Sequence, residues 1–243
     1  MKALHSSMRR WLFASTAAAM LITAGCNRSS SGTTTNTVAQ ASARKAETAR
    51  NTILRTSAEP FEVLTEQAFT APWPAADRLI ADARSAGAAA RKVVPAASAA
   101  ALDTRLAAME TARKVQDRPG LALAAVETYR DLVQAQDAPA QVPIPVSLLD
   151  YAGFRYDALA QAPGVDWAAM EQSARFAGEQ WRAIEPGITS QAMRGVMPQA
   201  IEAMSAAVTE RNVPFARSAA ATELALVDLL EEQVAARQRG PGR

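Results

Sequence analysis

Prolines and glycines cut this chain into segments with helical periodicity, and this punctuation constrains the fold more than any other feature. Trp73-Pro74 and Val213-Pro214 each begin such a segment, and Arg118-Pro119-Gly120 separates two of them. Proline is well tolerated only in the first turn of a helix, so these breaks mark helix starts. Between the breaks, no short run alternates apolar and polar residues with the β-branched enrichment of a strand. The sequence therefore predicts an all-α fold.

Periodicity and helix-start signals place the individual helices. An alanine-rich helix over 38–56 is followed by a short helix to Phe69, with Ser57 as its cap and Pro60 in its first turn. The later helices are predicted over residues 74–93, 98–116, 119–136, 147–161, 166–184, 190–210 and 214–237. We therefore expect a helical bundle of about eight helices over residues 38–237, followed by a flexible tail over 238–243.

Several sequence features recur at a nearly fixed spacing, which predicts an internal duplication of a four-helix unit. The motif Gly87-x3-Arg91-x3-Pro95 recurs 91 residues later as Gly178-x3-Arg182-x3-Pro186. Further matches at a spacing of 94 or 95 residues are Trp73 with Trp167, Met109 with Met204, and Pro119 with Pro214. An insertion of about one helical turn after Pro186 would reconcile the two spacings. The predicted repeats cover 58–136 and 147–237, and we expect them to pack against each other.

The N-terminal residues form a separate pattern. Basic residues at Lys2, Arg9 and Arg10 precede an apolar run that ends in Leu21-Ile22-Thr23-Ala24-Gly25-Cys26. This run is too short to cross a bilayer as a helix, which needs about 20 apolar residues. The pattern resembles a bacterial lipoprotein signal with its lipobox, although Thr23 stands where leucine is commonest in that family.

The resemblance implies that Cys26 receives diacylglycerol, that residues 1–25 are removed as a signal peptide, and that the new amino group is acylated. Several acyl chains give durable membrane anchoring, whereas one chain gives only marginal binding. In this family, Asn27 after the cysteine favours the outer membrane. We therefore expect a lipid-anchored protein of the bacterial cell envelope that faces the periplasm, with residues 26–37 as the lipidated cysteine and a flexible tether.

Removal of the signal peptide changes the composition in ways that exclude several functions. The chain has 26 basic and 24 acidic residues, of which three basic ones and no acidic one lie in the signal, so the mature net charge is about −1. This balance gives no support for nucleic-acid binding. The single histidine, His5, lies in the signal, and the single cysteine becomes the lipid attachment site. Catalytic Ser-His-Asp or Cys-His sites and Cys/His zinc sites are therefore excluded, and we expect no cofactor.

Three methionines, Met193, Met197 and Met204, share a narrow arc of one predicted helix with Ile201 and Val208. Methionine thioethers can bind Cu(I), which would suit an envelope protein that handles a metal. Methionine also fills irregular gaps in a hydrophobic core. We favour core packing, because leucines occupy the corresponding positions of the first repeat, and keep a metal site as the alternative.

Glu223 lies on the apolar arc of the last predicted helix, whereas Asp228, Glu231 and Glu232 are predicted to point elsewhere. A carboxyl group on that arc would lose its hydration, and its pKa would rise unless a cation paired with it. Such a group could bind a ligand or handle protons. We favour a structural ion pair between Glu223 and Arg182, which flanks the apolar arc of its own helix.

The predicted helix over 147–161 carries Asp150, Tyr151, Arg155 and Tyr156. Asp150 and Asp157 lie on one face, but about 10 Å apart along the helix, and no carboxylate of a second helix can be assigned to them. We therefore interpret this helix as a surface that contacts a partner or lines a pocket, rather than as an acid–base site.

Together these features favour a lipid-anchored helical protein without intrinsic catalysis, which binds or scaffolds an envelope protein partner or a small ligand. One alternative is a metal- or ligand-handling protein that uses the methionines or Glu223. Another is an enzyme that uses only carboxylates, arginine and tyrosine. That enzyme would need two carboxylates from different helices facing one pocket.

Overall fold

A computed structural model describes residues 33–137 and 142–238, which form eight α-helices and no strand. The helices are α1 (Thr33–Gln67), α2 (Trp73–Ala90), α3 (Ala96–Lys114), α4 (Arg118–Gln134), α5 (Ile144–Ala160), α6 (Trp167–Ile184), α7 (Gln191–Thr209) and α8 (Val213–Gln238). A single 3-10 turn, Glu185–Gly187, follows α6. The prediction of an all-α helical bundle is confirmed.

The chain divides into two compact units, Met1–Ala41 and Ser42–Arg243. In the first unit the described residues, from Thr33 onward, are helical, so the predicted tether over 26–37 is wrong for its last residues. The predicted signal peptide, Cys26 and the tail beyond residue 238 lie outside the described residues. Within the described ranges, no helix combines the length and the apolar character needed to span a bilayer.

α1 is one continuous helix where the sequence predicts two. Ser57 is buried inside it rather than capping a new helix, and Pro60 lies in its interior. Leu54 and Phe61, on either side of this point, are both fully buried in the core. A proline costs the helix one backbone hydrogen bond, but this apolar stripe is buried only if the helix continues through it. Tertiary packing therefore overrides the local break signal.

α5 is the central helix of the bundle. It packs against α4, α6 and α8, and it contributes residues to all four hydrophobic clusters of the core. Apolar residues occupy most of its circumference, which is typical of a helix that is buried on most sides. Its buried residues are Val146, Leu148, Leu149, Asp150, Tyr151, Ala152, Gly153, Tyr156, Ala158, Leu159 and Ala160. Asp150, Tyr151 and Tyr156 are therefore core residues rather than an exposed contact surface, and the pocket-lining alternative for this helix stays a prediction.

The turns before α4 and α8 have the same construction. Gln116 and Arg211 both adopt the left-handed conformation, with φ of 58° and 49°. The next residue in each turn donates its amide to a carbonyl five residues earlier, as in a Schellman motif: Asp117 N to Ala112 O at 2.8 Å, and Asn212 N to Ala207 O at 3.0 Å. These turns lie 95 residues apart, so they fit the spacing of the predicted repeat.

The buried positions of α2 and α6 align the two predicted repeats at a different spacing from the one that the glycine motif gives. Ala76 and Ala83 of α2 are buried, as are Met170 and Ala177 of α6, 94 residues later in each pair. At the same spacing Gly87 corresponds to Trp181, so its predicted match with Gly178 is wrong. A shift of three residues rotates a helix face by about 60°. The duplication itself stays a prediction.

We expect Gln116→Gly and Arg211→Gly each to raise the free energy of unfolding by about 1 kcal/mol, because glycine adopts positive φ without the steric cost of a side chain. Urea unfolding of the single variants measures the effect. Val115→Gly is the matched control, since Val115 has φ of −94° and glycine there should destabilise the chain. Equal effects of all three substitutions would contradict the strain assigned to these turns.

Candidate functional site

The methionines pack in the core, as the favoured interpretation states. Met193 and Met197 are buried in a cluster with Val227 and Leu230, whereas Met204 is buried in a different cluster. Aliphatic side chains therefore surround the thioethers, and the three sulfur atoms do not meet at an open cleft. The geometry gives no support to the alternative of a methionine metal site.

Glu127 of α4 is the centre of an ionic network that includes two of the predicted site residues. Its Oε1 accepts hydrogen bonds from Arg155 Nε at 2.8 Å and from the Tyr151 hydroxyl at 3.1 Å. Its Oε2 lies 2.8 Å from Arg130 Nη1 and 3.8 Å from Arg105 Nη2. One carboxylate is thus shared by cations from α3, α4 and α5, which makes it a strong charge-assisted junction.

Arg155 extends this network to α6. Its Nη1 donates to the Ala169 carbonyl oxygen at 2.9 Å and to Ser173 Oγ at 2.7 Å. The side chains of Arg155 and Glu127 are 19% and 13% exposed, so removal of either would leave a largely buried charge without its partner. Tyr151 and Arg155 therefore have a structural role, because their hydrogen bonds link α5 to α4 and α6.

Tyr156 also has a structural explanation. It is fully buried and donates its hydroxyl to the Met204 carbonyl oxygen at 2.7 Å, and burial raises its pKa to about 12. Asp157 accepts from Gln161 Nε2 at 2.6 Å and lies 4.0 Å from Arg217 Nε at the exposed edge of α8. Neither residue lies with a second carboxylate in the way an acid–base site requires.

Glu223 of α8 is completely buried, and neither of its carboxyl oxygens has a hydrogen-bond partner among the described residues. The predicted ion pair with Arg182 is wrong, because Arg182 lies on the exposed side of α6 while the carboxyl group of Glu223 points to α5. A Cβ atom placed on Gly153 would lie 2.1 Å from Glu223 Oε2. The missing side chain of Gly153 therefore provides the space that the carboxyl group occupies.

The first half of the chain has different residues at the corresponding places. At a spacing of 95 residues, Glu223 corresponds to Thr128 and Gly153 to Ala58, and both of these residues are also buried. Thr128 donates its hydroxyl to the Ala124 carbonyl oxygen at 2.8 Å. The first half therefore has a small polar residue and an alanine at the positions where the second half has a larger carboxyl group and a glycine.

Carboxyl groups of three helices around α5 raise one another's pKa values. We call this set the acidic cluster; it consists of Glu62 of α1, Asp150 of α5, and Glu223, Asp228 and Glu231 of α8. Burial is the largest cause that raises the pKa of Asp150 well above its ordinary value, followed by repulsion from Glu231, Glu62 and Glu223. Glu231, which is predicted to point away from the apolar arc of α8, is partly buried and contributes to the raised pKa of Asp150.

The pKa of Glu62 is raised from 4.5 to about 8, by burial first and then by repulsion from Glu231, Glu66, Glu59 and Asp228. The pKa of Glu223 is raised well above its ordinary value by burial. These three groups therefore hold protons at a pH where a solvated carboxyl group would be ionised. The phenol of Tyr129, which is 4% exposed, lies close enough that Glu62 and Asp150 raise its pKa after burial does.

The sequence patterns do not identify Glu62 or Tyr129 as candidate site residues. Glu59, Glu62 and Glu66 recur at a spacing of three and four residues, which is the pattern of an ordinary solvated helix face. Only the packing of α1 brings Glu62 to the acids of α8, from more than 160 positions away in the sequence. No local signal in the sequence could have found this approach.

The acidic cluster can chemically hold protons or receive a cation in their place. Its carboxyl groups do not form a metal-ligand set, because within residues 33–137 and 142–238 no three Asp, Glu, His or Cys side chains converge in that way. The chain has no significant match among protein-family models, curated proteins or solved structures. The geometry of this site is therefore the basis on which a function can be proposed.

We expect the free energy of unfolding to fall as the pH rises from about 4.5 to about 8, because folded Glu62 binds its proton more tightly than unfolded Glu62 does. One proton of difference gives a slope of about 1.4 kcal/mol per pH unit. Glu62→Gln should reduce the slope, whereas Glu202→Gln, at an exposed position of α7, should not. Denaturant unfolding across this range measures both, and stability that rises with pH would contradict the assignment.

We expect Gly153→Ala to destabilise the chain, because its methyl group would lie 2.1 Å from Glu223 Oε2 and 2.8 Å from Leu224 Cδ2. Overpacking of this kind costs about 1–3 kcal/mol. Glu223→Thr should lower that cost by removing the nearer contact, which a double-mutant cycle of unfolding free energies measures. Gly164→Ala is the control with open space around it, and strictly additive costs would show that Gly153 and Glu223 do not interact.

Proposed function

We propose that this protein is a lipid-anchored helical protein of the bacterial cell envelope, which faces the periplasm and binds a ligand or protein partner without catalysing a reaction. The lipobox at Leu21–Cys26 supports the anchor, with Asn27 favouring the outer membrane. The geometry of the acidic cluster supports the binding role and moves the preferred site away from the helix surface inferred from sequence.

The buried, unpartnered carboxyl group of Glu223 is the observation that carries the binding role. A structural ion pair with Arg182 was the simplest explanation of an acid at this position, and the packing of α6 and α8 does not provide it. A buried polar group without a partner costs about 1–3 kcal/mol. A second buried carboxyl group, that of Asp150, lies close enough to be affected by it. An unpartnered buried carboxyl group beside a second one with a raised pKa is typical of a functional site.

The directions of the pKa shifts favour binding over carboxylate catalysis. Enzymes that use two carboxyl groups separate their pKa values, so that one group is a proton donor while the other is ionised. Here the pKa values of Glu62, Asp150 and Glu223 are all raised. A site of this kind takes up positive charge, but it does not provide an acid and a base at the same pH.

We expect the protein to be labelled by palmitate in growing cells and to fractionate with membranes, because acyl chains on Cys26 anchor it. Cys26→Ser should abolish both labelling and membrane association, since it removes the thiol that carries diacylglycerol. Thr23→Leu, which restores the commonest lipobox residue, is the control and should leave both intact. An unlabelled, uncleaved wild-type protein would overturn the proposed anchor.

A native mass spectrum of the protein purified in mild detergent from its own membranes tests the binding role. A stoichiometric additional mass, or a co-purifying protein that is lost in Glu223→Leu, would support it, since leucine fills the same space without charge. Thermal unfolding of Glu223→Leu separates loss of binding from loss of fold. The same additional mass in wild type and variant would place the binding site elsewhere.

A further inference from the structure

A cavity of about 570 Å³ lies between α5 and the first half of α8, and we call it the α5–α8 cavity. Its volume is within the range of sites that bind small molecules. Asp157 lines it from α5, and the lining residues on α8 are Val213, Pro214, Arg217, Ser218, Ala221 and Leu224. The cavity therefore combines one acid, one base and one hydroxyl group with an apolar wall.

The acid and the base of the cavity lie close together but do not form a hydrogen bond. Arg217 Nε lies 4.0 Å from Asp157 Oδ1, which is too long for a hydrogen bond. Asp157 Oδ2 accepts a hydrogen bond from Gln161 Nε2 at 2.6 Å. The side chains of Asp157 and Arg217 are 30% and 56% exposed, so both can be reached from the solvent. A ligand in the cavity can therefore contact both charges.

Each of these two charges can form a stronger contact than the one it has. Burial raises the pKa of Asp157, although Arg217 and the hydrogen bond from Gln161 act in the opposite direction. A carboxylate that has lost part of its hydration gains most from a charged donor in direct contact. The planar guanidinium of Arg217 can bind a carboxylate through two parallel hydrogen bonds. The pair therefore favours a ligand that carries both an ammonium group and a carboxylate.

From this arrangement we propose that the α5–α8 cavity binds a free amino acid with a large apolar side chain. The ammonium group of the ligand binds Asp157, and its carboxylate binds Arg217 and the Ser218 hydroxyl. The apolar side chain of the ligand lies against the apolar wall. The α5–α8 cavity is separate from the acidic cluster, so this inference goes beyond the proposed function and does not depend on it.

The spacing of the charges favours a free amino acid over a ligand with a single charge. In an amino acid, the ammonium nitrogen lies about 2.5 Å from the carboxylate carbon. Asp157 and Arg217 present the opposite charges at a comparable separation of 4.0 Å. Both charges of the ligand can thus meet a charge of opposite sign. A residue within a peptide chain lacks at least one of these two charges, so the free amino acid is favoured.

The apolar wall favours a large side chain on the ligand. Val213, Ala221 and Leu224 lie along one side of α8, because their spacing follows the helical repeat. Leu224 Cδ2 lies 2.8 Å from the position of a Cβ atom on Gly153, so this leucine packs on α5 at one end of the cavity. An apolar side chain that covers these residues is removed from water together with them, which stabilises the complex.

Titration calorimetry of the full-length protein in a non-ionic detergent tests the proposal, with L-phenylalanine as the probe. We expect a one-to-one complex. L-phenylalaninamide lacks the carboxylate and 3-phenylpropanoate lacks the ammonium group, so each should bind about tenfold more weakly, because each loses a charge-assisted contact. Glycine should also bind more weakly than L-phenylalanine, because it has no apolar side chain to cover the wall.

The variants assign each contact of the ligand to one side chain. Arg217→Gln should weaken binding of L-phenylalanine by about tenfold and leave that of the amide unchanged. Asp157→Asn should weaken binding of L-phenylalanine similarly and leave that of 3-phenylpropanoate unchanged. Ala221→Trp should abolish binding, because it fills the cavity without a change of charge. Arg194→Gln and Glu202→Gln, at exposed positions of α7, are the matched controls and should leave the affinity unchanged.

Three outcomes would overturn the proposal. Equal affinity for L-phenylalanine, its amide and 3-phenylpropanoate would show apolar attraction alone. Equal loss in the cavity variants and in the α7 controls would show non-specific binding, and absence of binding by L-phenylalanine would reject the ligand class. The proposed function is tested separately, because an additional mass that is lost in Glu223→Leu would support it even if L-phenylalanine does not bind.

Discussion

Burial of α5 on most of its surface is the constraint on which the rest of the structure depends. Most polar residues of a helix in this position cannot turn toward water, so each of them must find a partner or lose its charge. Tyr151 and Arg155 meet this requirement on Glu127, and Tyr156 meets it on a backbone carbonyl. For Asp150, burial and then repulsion from the surrounding acids raise the pKa well above its ordinary value, which favours its uncharged form.

The helices could be predicted from sequence wherever a local signal decided them. Asp166 begins α6 by accepting a hydrogen bond from the Ala169 amide at 2.9 Å, as expected of a residue of this type at a helix start. Pro60 failed as a break signal because burial on both sides of it is a tertiary effect. The glycine motif failed as a register signal because alanine-rich helices offer many similar small residues on neighbouring faces.

The sequence predicts which face of its own helix a candidate residue occupies, but it does not predict which residues of different helices meet. Glu223 could be found because its own helix places it among apolar residues. Its relation to Arg182 could not be found, because it depends on how α6 is rotated in the bundle. The approach of Glu62 to α8 depends on the packing of segments that are far apart in the sequence. The role of Gly153 in making space for Glu223 can be recognised only once α5 and α8 are packed together.

The placement of α5 also determines how far the two predicted repeats can act as separate folding units. α5 belongs to the predicted second repeat, yet Leu148 and Tyr151 lie in the same core cluster as residues of α1 to α4. A fragment cut at the proline-rich joint would expose these side chains and would take Arg155 away from Glu127. The two predicted repeats therefore share one core, and we expect the unit from Ser42 onward to unfold cooperatively. We therefore expect a change of charge in the acidic cluster to alter the stability of both halves at once.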